Sequence, residues 1–297
     1  MEIIKNCPVC GSEKYSEFLK CKDHFLTKEK FTIVKCDQCT FTFVNPRPEQ
    51  GQLAGYYEST EYISHSGTNK GIVNSVYKYV RNFTHKSKLN LVTKYAKGNK
   101  ILDIGCGSGE LLGLFKKSNW ETLGIEPNDN AREFAIKQYC IDVYEESHIK
   151  EIESASMDVI SMWHVLEHVS LLNERMEEVK RILKDDGVLF IAVPNRISFD
   201  AMHYGEFWAA FDVPRHLYHF TPETMGELIK KHGFAIVSFL PMKFDSFYVS
   251  ILSEKYKNGS TNLLKALYTG LKSNLNANNK RHDYSSMIYV IKKVNGK

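Results

Sequence analysis

Hydrophobic and polar positions change rhythm along the chain. Near the start, FTIVKC (31–36) alternates as a half-buried strand does. From Asn99 the text becomes short solid apolar runs separated by amphipathic stretches. KILDIG meets a glycine turn and then ELLGLFKK, whose apolar positions share one helical face. ETLGI, a strand near Ile141–Tyr144, DVISMW and VLFIAVPN follow, with a helix over about 171–183. Strands solid enough to be buried on both faces, alternating with helices, predict an α/β fold built on a doubly wound, mostly parallel, Rossmann-like sheet. Thr221-Pro222-Glu223 reads as N-cap, N1 and N2 of a further helix ending at His232-Gly233. FAIVSFL is the next strand, and a helical insertion near 245–275 precedes SSMIYVIKKV, expected as a terminal antiparallel strand. A long helix is expected over about Val73–Ala96. The divisions are a small module at 1–48, a linker and helical region at 49–97 with Pro46 and Pro48 at the boundary, and the α/β core at 98–297.

Composition narrows the class. With 43% hydrophobic and 25% charged residues among 297, the chain is not wholly disordered. No apolar run reaches the roughly 18 residues of a membrane span, and mean hydropathy is −0.33. MEIIKNCPVC lacks the features of a secretion signal, so a cytoplasmic protein is expected. A net charge of +4 is too small to point to nucleic acid. Seven cysteines, an odd number, disfavour a disulfide framework, and five of them fall in the first 39 residues.

Cys7-x-x-Cys10 and Cys36-x-x-Cys39 are two knuckles with zinc-ribbon spacing. Four thiolates complete a tetrahedral Zn²⁺ site with no open position, so the metal is expected to be structural. Cys21 and His24 form a competing C-x-x-H pair. In the core, Gly105, Gly107 and Gly109 form a G-x-G-x-G turn that lets a ligand approach the backbone. A dinucleotide fingerprint requires glycine where Glu110 stands, and Asp103 before the turn would repel a pyrophosphate. Asp103 suits a ligand carrying an amino group, and Glu126, at the end of the next strand, is placed to hold ribose hydroxyls.

Together ILDIGCGSGELL, GIEPN, WHVLEHV and LKDDGVLFIAVPN resemble the class I S-adenosylmethionine-dependent methyltransferases over roughly residues 98–240. The resemblance implies that Asp103 and Gly105 lie near the methionine part of the cofactor and that Cys106, Gly107 and Gly109 also bind it. It places Glu126 and Pro127 by the ribose and Glu145 by the adenine, with Trp163 and His164 closing over the cofactor. With the zinc ribbon, N-P-R-P…Y-Y and D-V-P-R-H-L-Y-H-F, the chain is similar to bacterial methyltransferases of sugar, polysaccharide and secondary-metabolite pathways that carry an N-terminal zinc-binding domain. Deoxysugar C-methyltransferases share this arrangement but have a further C-terminal domain of well over a hundred residues. Here about 50 residues follow Pro241, which leaves C- against O-methylation open.

An acceptor hydroxyl needs a base. His164, Glu167 and His168 have i, i+3, i+4 spacing that one helical face would gather, with His168 as the base and Glu167 orienting it. Alternatively, Glu167 caps a helix and His168 packs, or the segment holds a divalent metal as in ubiquinone-pathway O-methyltransferases, although His164 stands where those have an acid. Residues 195–220 are too long for a simple connection and rich in aromatics, and are expected to form an acceptor lid with Arg215 and His216 facing the site. The competing reading pairs Arg215 with Asp212 or Glu206 and packs the aromatics. Tyr56, Tyr57 and Tyr62 either line the substrate mouth or pack the linker. The expected partner is a small-molecule acceptor, with nucleotide-linked and lipid-linked sugars among the candidates. An RNA methyltransferase reading its substrate through the zinc ribbon, or a non-catalytic cofactor-binding subunit, are the alternatives.

Overall fold

The computed structural model describes residues 1–57, 72–279 and 283–294. Tyr62 lies outside the described residues. Three short strands, β1 (Tyr15–Lys22), β2 (Lys30–Cys36) and β3 (Thr42–Val44), form an antiparallel meander. A single-turn helix α1 (Gln50–Leu53) and the long α2 (Ile72–Tyr95) lead into the core.

The core alternates β4 (Lys100–Ile104), α3 (Glu110–Lys117), β5 (Glu121–Ile125), α4 (Asp129–Tyr139), β6 (Asp142–Tyr144), β7 (Met157–Trp163), α5 (Leu172–Ile182) and β8 (Leu183–Pro194). The insertion holds a short α6 (Phe199–Tyr204) and β9 (Tyr218–His219), and is followed by α7 (Pro222–Lys231) and β10 (Phe234–Pro241). The expected helical insertion is two helices, α8 (Asp245–Asn258) and α9 (Leu263–Asn279), parted at Gly259, whose φ of 73° ends the first. β11 (Ser286–Lys293) closes the chain.

The seven-stranded sheet has the order β10-β11-β8-β7-β4-β5-β6. β4 to β8 run parallel, and β11 inserts antiparallel between β8 and β10. The solid runs are buried as their composition requires: every residue of β8 from Gly187 to Pro194 is buried. α5 turns Leu172, Met176, Val179 and Ile182 to the sheet, a helical period that matches one buried stripe. Thr221 caps α7 with Pro222 at N1, as expected, and Thr224 completes the capping box.

The N-terminal meander does not stand alone. β9, from the insertion, pairs with β3 through Thr42↔His219 and Phe43↔Tyr218, making a fourth strand. Phe41 and Phe43 share one buried cluster with Leu217, Tyr218 and Phe220. Arg47 bonds Glu2, the Tyr218 hydroxyl at 2.8 Å and the Ser170 carbonyl at 3.0 Å. Metal module and insertion are thus one packed unit laid on the carboxyl edge of the large sheet.

Candidate functional site

The four-cysteine group has the chemistry expected of it. Cys7 and Cys39 Sγ lie 3.6 Å apart and Cys10 and Cys36 Sγ 3.5 Å apart, with all four within 4.8 Å of one another. Tetrahedral zinc with bonds of about 2.3 Å needs sulfur–sulfur edges of about 3.8 Å, so the donor set fits Zn²⁺. Cys21 is buried in a separate cluster with Phe31 and Trp208, and His24 stacks on Tyr256 at 4.8 Å, so neither joins the group.

At the end of β4 the chain passes through Gly105, Gly107 and Gly109 at φ of +72°, +55° and +74°. A Cβ at Gly105 would lie 2.4 Å from Val165, whereas one at Gly107 would meet nothing, leaving backbone open to a ligand. Glu126 is buried. Its carboxylate accepts from Gly107 N at 2.8 Å and Asn128 N at 2.9 Å, which locks the acid against the glycine turn. Asp103 is buried and accepts from the Ser161 hydroxyl at 2.6 Å. Burial pushes its carboxyl up to about 7 against the pull of Ser161 and Lys88.

Lys88, on α2, holds its ammonium 4.3 Å from the centroid of the Trp163 ring. Burial lowers its pKa, opposed by the charges of Asp103 and Asp245. Trp163 Nε1 is a buried donor without a partner among the described residues. A buried acid beside an open glycine backbone and an orphaned indole donor fits the amino, carboxylate and ribose groups of a nucleoside amino acid. Cys106 is half-buried in the turn, Pro127 is exposed, and Glu145 is exposed at the end of β6, bonded by Ser147.

The acceptor side differs from the single helical face expected. After β7 the backbone turns at His164, φ +57°, and Leu166–His168 form only a 3₁₀ turn, yet the three side chains still converge. Glu167 is fully buried inside this turn, and the N-cap positions belong to Val165 and, for α5, Leu171, so Glu167 is not a helix cap. His164 lies between two acids, Nε2 2.9 Å from Asp245 and Nδ1 3.3 Å from Glu167. Burial alone would depress this imidazole, but the two carboxylates outweigh it and raise it to about 10.

His168 behaves oppositely. Burial and the neighbouring His216 push it down to about 4. Its Nδ1 lies 3.1 Å from the Arg215 carbonyl and 2.8 Å from the Tyr57 hydroxyl. A carbonyl only accepts, so Nδ1 carries the proton and Nε2 keeps a lone pair. His216 meets this ring edge-on at 4.5 Å and donates Nδ1–H to the Ala210 carbonyl at 2.8 Å. Glu167, His168 and His216 each have a donor atom within 4.8 Å of the others, and Glu167 Oε2 is buried without a hydrogen-bond partner.

Arg215 is buried and bonds Asp212 through Nε at 3.0 Å, Asp23 through Nη2 at 2.9 Å and the Tyr56 carbonyl through Nη1 at 3.1 Å. Pairing with Asp212 is therefore present, and Arg215 faces the N-terminal module. Its main chain faces the site: the Arg215 carbonyl orients His168, and Leu217 N donates to the Glu167 carbonyl at 2.7 Å. Tyr204, Trp208, Phe211, Tyr218 and Phe220 are buried in the packing of the insertion, with Trp208 Nε1 on Asp200 at 2.8 Å.

Lys88, Ser161, Asp23 and Asp245 carried no local signal as site residues. Each meets its partner only when elements distant in sequence pack.

A family profile described as a methyltransferase domain matches residues 78–239. Among curated relatives, a ubiquinone biosynthesis O-methyltransferase of Actinobacillus pleuropneumoniae serotype 7 is 34% identical over 110 residues, 33% of this chain and 47% of that protein. One from Haemophilus ducreyi is 30% identical over the same length, with the same coverage. The chain spans about half the length of these relatives. Among solved structures, a SAM-dependent methyltransferase from Archaeoglobus fulgidus superposes with a TM-score of 0.51 at 20% identity, over 72% of this chain and 94% of that one. Geranyl diphosphate C-methyltransferase from Streptomyces coelicolor A3(2), in complex with Mg²⁺, a substrate analogue and S-adenosyl-L-homocysteine, gives 0.51 at 10% identity, over 70% and 76%. The strand order, the glycine turn beside two buried acids and the profile match agree: the chain belongs to the class I S-adenosylmethionine-dependent methyltransferases.

Proposed function

We propose that this enzyme transfers a methyl group to a hydroxyl of a small-molecule acceptor in the cytoplasm, with His168 as general base. A saccharide-containing compound or secondary metabolite, free or linked to a nucleotide or lipid, is the acceptor class proposed. When bound, S-adenosylmethionine supplies an electrophilic methyl on a sulfonium. Asp103 would take the cofactor's amino group, Glu126 its ribose hydroxyls, and the backbone at Gly105–Gly109 its methionine portion, with Trp163 and Lys88 covering it. Zn²⁺ on Cys7, Cys10, Cys36 and Cys39 would hold the N-terminal meander closed.

The observation that carries this reading is the state of His168. Its Nδ1–H is fixed by a carbonyl and its Nε2 receives no hydrogen bond among the described residues. Burial and His216 keep that nitrogen unprotonated at neutral pH but weaken it as a base. The charges of Glu167 and Asp212 oppose this by favouring the imidazolium that forms when it takes an acceptor's proton. Glu167 and His216 pack around it, and Arg215, facing away, acts through its carbonyl as a positioning residue. The names of the curated relatives support oxygen as the methylated atom.

The test is His168→Asn, assayed with a panel of sugar nucleotides, polyprenol-linked sugars and phenols. Turnover falls by about 10²–10⁴ while cofactor affinity stays within threefold. Added Mg²⁺ or Mn²⁺ leaves wild-type turnover unchanged. Turnover that needs either ion would replace the base by a metal at Glu167, His168 and His216, the reading that the unpartnered Glu167 oxygen favours.

A further inference from the structure

α9 packs in the reverse of the usual order. Its small residues face inward: Ala266, Ser273 and Ala277 are buried, and a Cβ on Gly270 would lie 3.0 Å from the Cα of Phe247 on α8. Its large apolar residues face out, with Leu264 82% exposed, Tyr268 64%, Leu271 51% and Leu275 56%. With Leu267, these positions recur at i, i+3, i+4, i+7 and i+11, one continuous stripe along the outer face of the helix. A stripe of this size left in water is unfavourable and marks an interaction surface.

Charge says what covers it. Residues 255–281 contain six Lys and Arg and no Asp or Glu. Lys272 borders the stripe, its ammonium 5.9 Å from the Tyr268 ring centroid, while Lys265 is held 3.7 Å from the buried Glu254. A second copy of the chain would press the same basic segment against itself, a like-charge contact. An exposed stripe of leucines and a tyrosine with Lys272 beside it, on a helix that carries no Asp or Glu, matches the interfacial region of an anionic bilayer. We propose that α9 docks this enzyme on an anionic lipid surface, its leucines entering the headgroup layer and Lys272 meeting lipid phosphate. The docked face belongs to the same helical hairpin whose first residue, Asp245, holds His164.

The test uses the full chain and vesicles of phosphatidylcholine with or without phosphatidylglycerol, read by co-sedimentation. Binding to the anionic vesicles is expected to be at least about tenfold tighter than to the neutral ones and to weaken with salt. Leu264→Glu with Leu271→Glu is expected to weaken it about a hundredfold, and Lys272→Glu about fivefold. Because these side chains are exposed, the variants keep the wild-type circular dichroism and melting temperature. No binding to anionic vesicles, or binding that the leucine substitutions leave intact, overturns the proposal. So does a dimer in sedimentation velocity that the same substitutions dissolve while vesicles remain unbound, since the stripe is then a self-interface. No methyl transfer is measured, so failure here leaves the proposed activity untouched.

Discussion

The two halves of the candidate site are assembled in different ways. Asp103, the glycine turn and Glu126 come from one strand–turn–helix–strand run of 24 residues, within which Gly107 N bonds Glu126, while Ser161 holds Asp103 from β7. The acceptor side gathers Asp23 and Tyr57 from the N-terminal region, His164 to His168 after β7, Asp212 to His216 from the insertion and Asp245 from α8. The donor side answers to a cofactor shared by the whole family and can be written locally. The proposed acceptor side would answer to a particular substrate and is built by tertiary packing, with the four-cysteine module as its outer wall.

Removing metal from that wall is the largest way to break the comparison. Structural zinc contributes on the order of 10 kcal/mol to small thiolate modules. Stripping it with a strong chelator should expose the β3–β9 pairing to rapid amide exchange and abolish turnover. Cofactor affinity measured by calorimetry should stay within about threefold, because the side-chain bonds of Asp103 and Glu126 among the described residues come from the core and not from the module. A parallel loss of cofactor binding would show that the two sides fold as one.

Next in size is Arg215→Met. It leaves Asp23, fully buried and depressed by Arg215 to about 2, and Asp212 without their countercharge. Breaking such a pair costs about 3–5 kcal/mol, read as a lower urea midpoint. Adding Asp23→Asn should recover part of the loss. If the single variant is as stable as wild type, the insertion is not anchored by this pair.

Asp103 sharpens the donor side. Asp103→Asn should weaken cofactor binding about 10- to 100-fold by removing a charge-assisted hydrogen bond. Its folded pKa of about 7 stands above the ordinary value of 3.8. The stability it contributes is therefore complete below the unfolded value and is lost as pH rises through about 7. The cofactor's ammonium requires the ionised form, so affinity should rise about tenfold from pH 6 to pH 8, with proton release on binding below 7. Asp103→Asn should flatten that profile. A flat wild-type profile would detach Asp103 from the amino group.

The same division governs what the residues announced in advance. The alternation of strands and helices in a mostly parallel sheet, the antiparallel last strand, the set of four cysteines and the Gly105–Glu126 run all follow from short-range patterns, and the structure has them. What short range could not reveal is who pairs with whom across the chain. Arg215 had a pairing with Asp212 three residues away in view, but its second acid, Asp23, lies 192 residues upstream. His164, Glu167 and His168 had helical spacing, yet their convergence comes from a positive φ at His164 and from Asp245, 81 residues on. The lid aromatics looked like stacking faces because composition cannot tell an exposed ring from a buried one.

Tyr57 offers the smallest and most discriminating test. Its hydroxyl stands 2.8 Å from His168 Nδ1 and comes from the N-terminal region, so it is a direct contact between the outer wall and the base. It acts through the base and is a positioning residue. Loss of one such hydrogen bond costs about 0.5–1.5 kcal/mol, so Tyr57→Phe should lower kcat about 2- to 10-fold. The Arg215 carbonyl remains to hold the Nδ1 proton, which keeps the tautomer and limits the loss. Cofactor affinity should not change, and the acid limb of the rate profile should shift, because the imidazole loses a neighbour that sets its proton affinity. A lower kcat with an unmoved pH profile would mean that Tyr57 merely packs, and that the wall reaches the base through the Arg215 main chain alone.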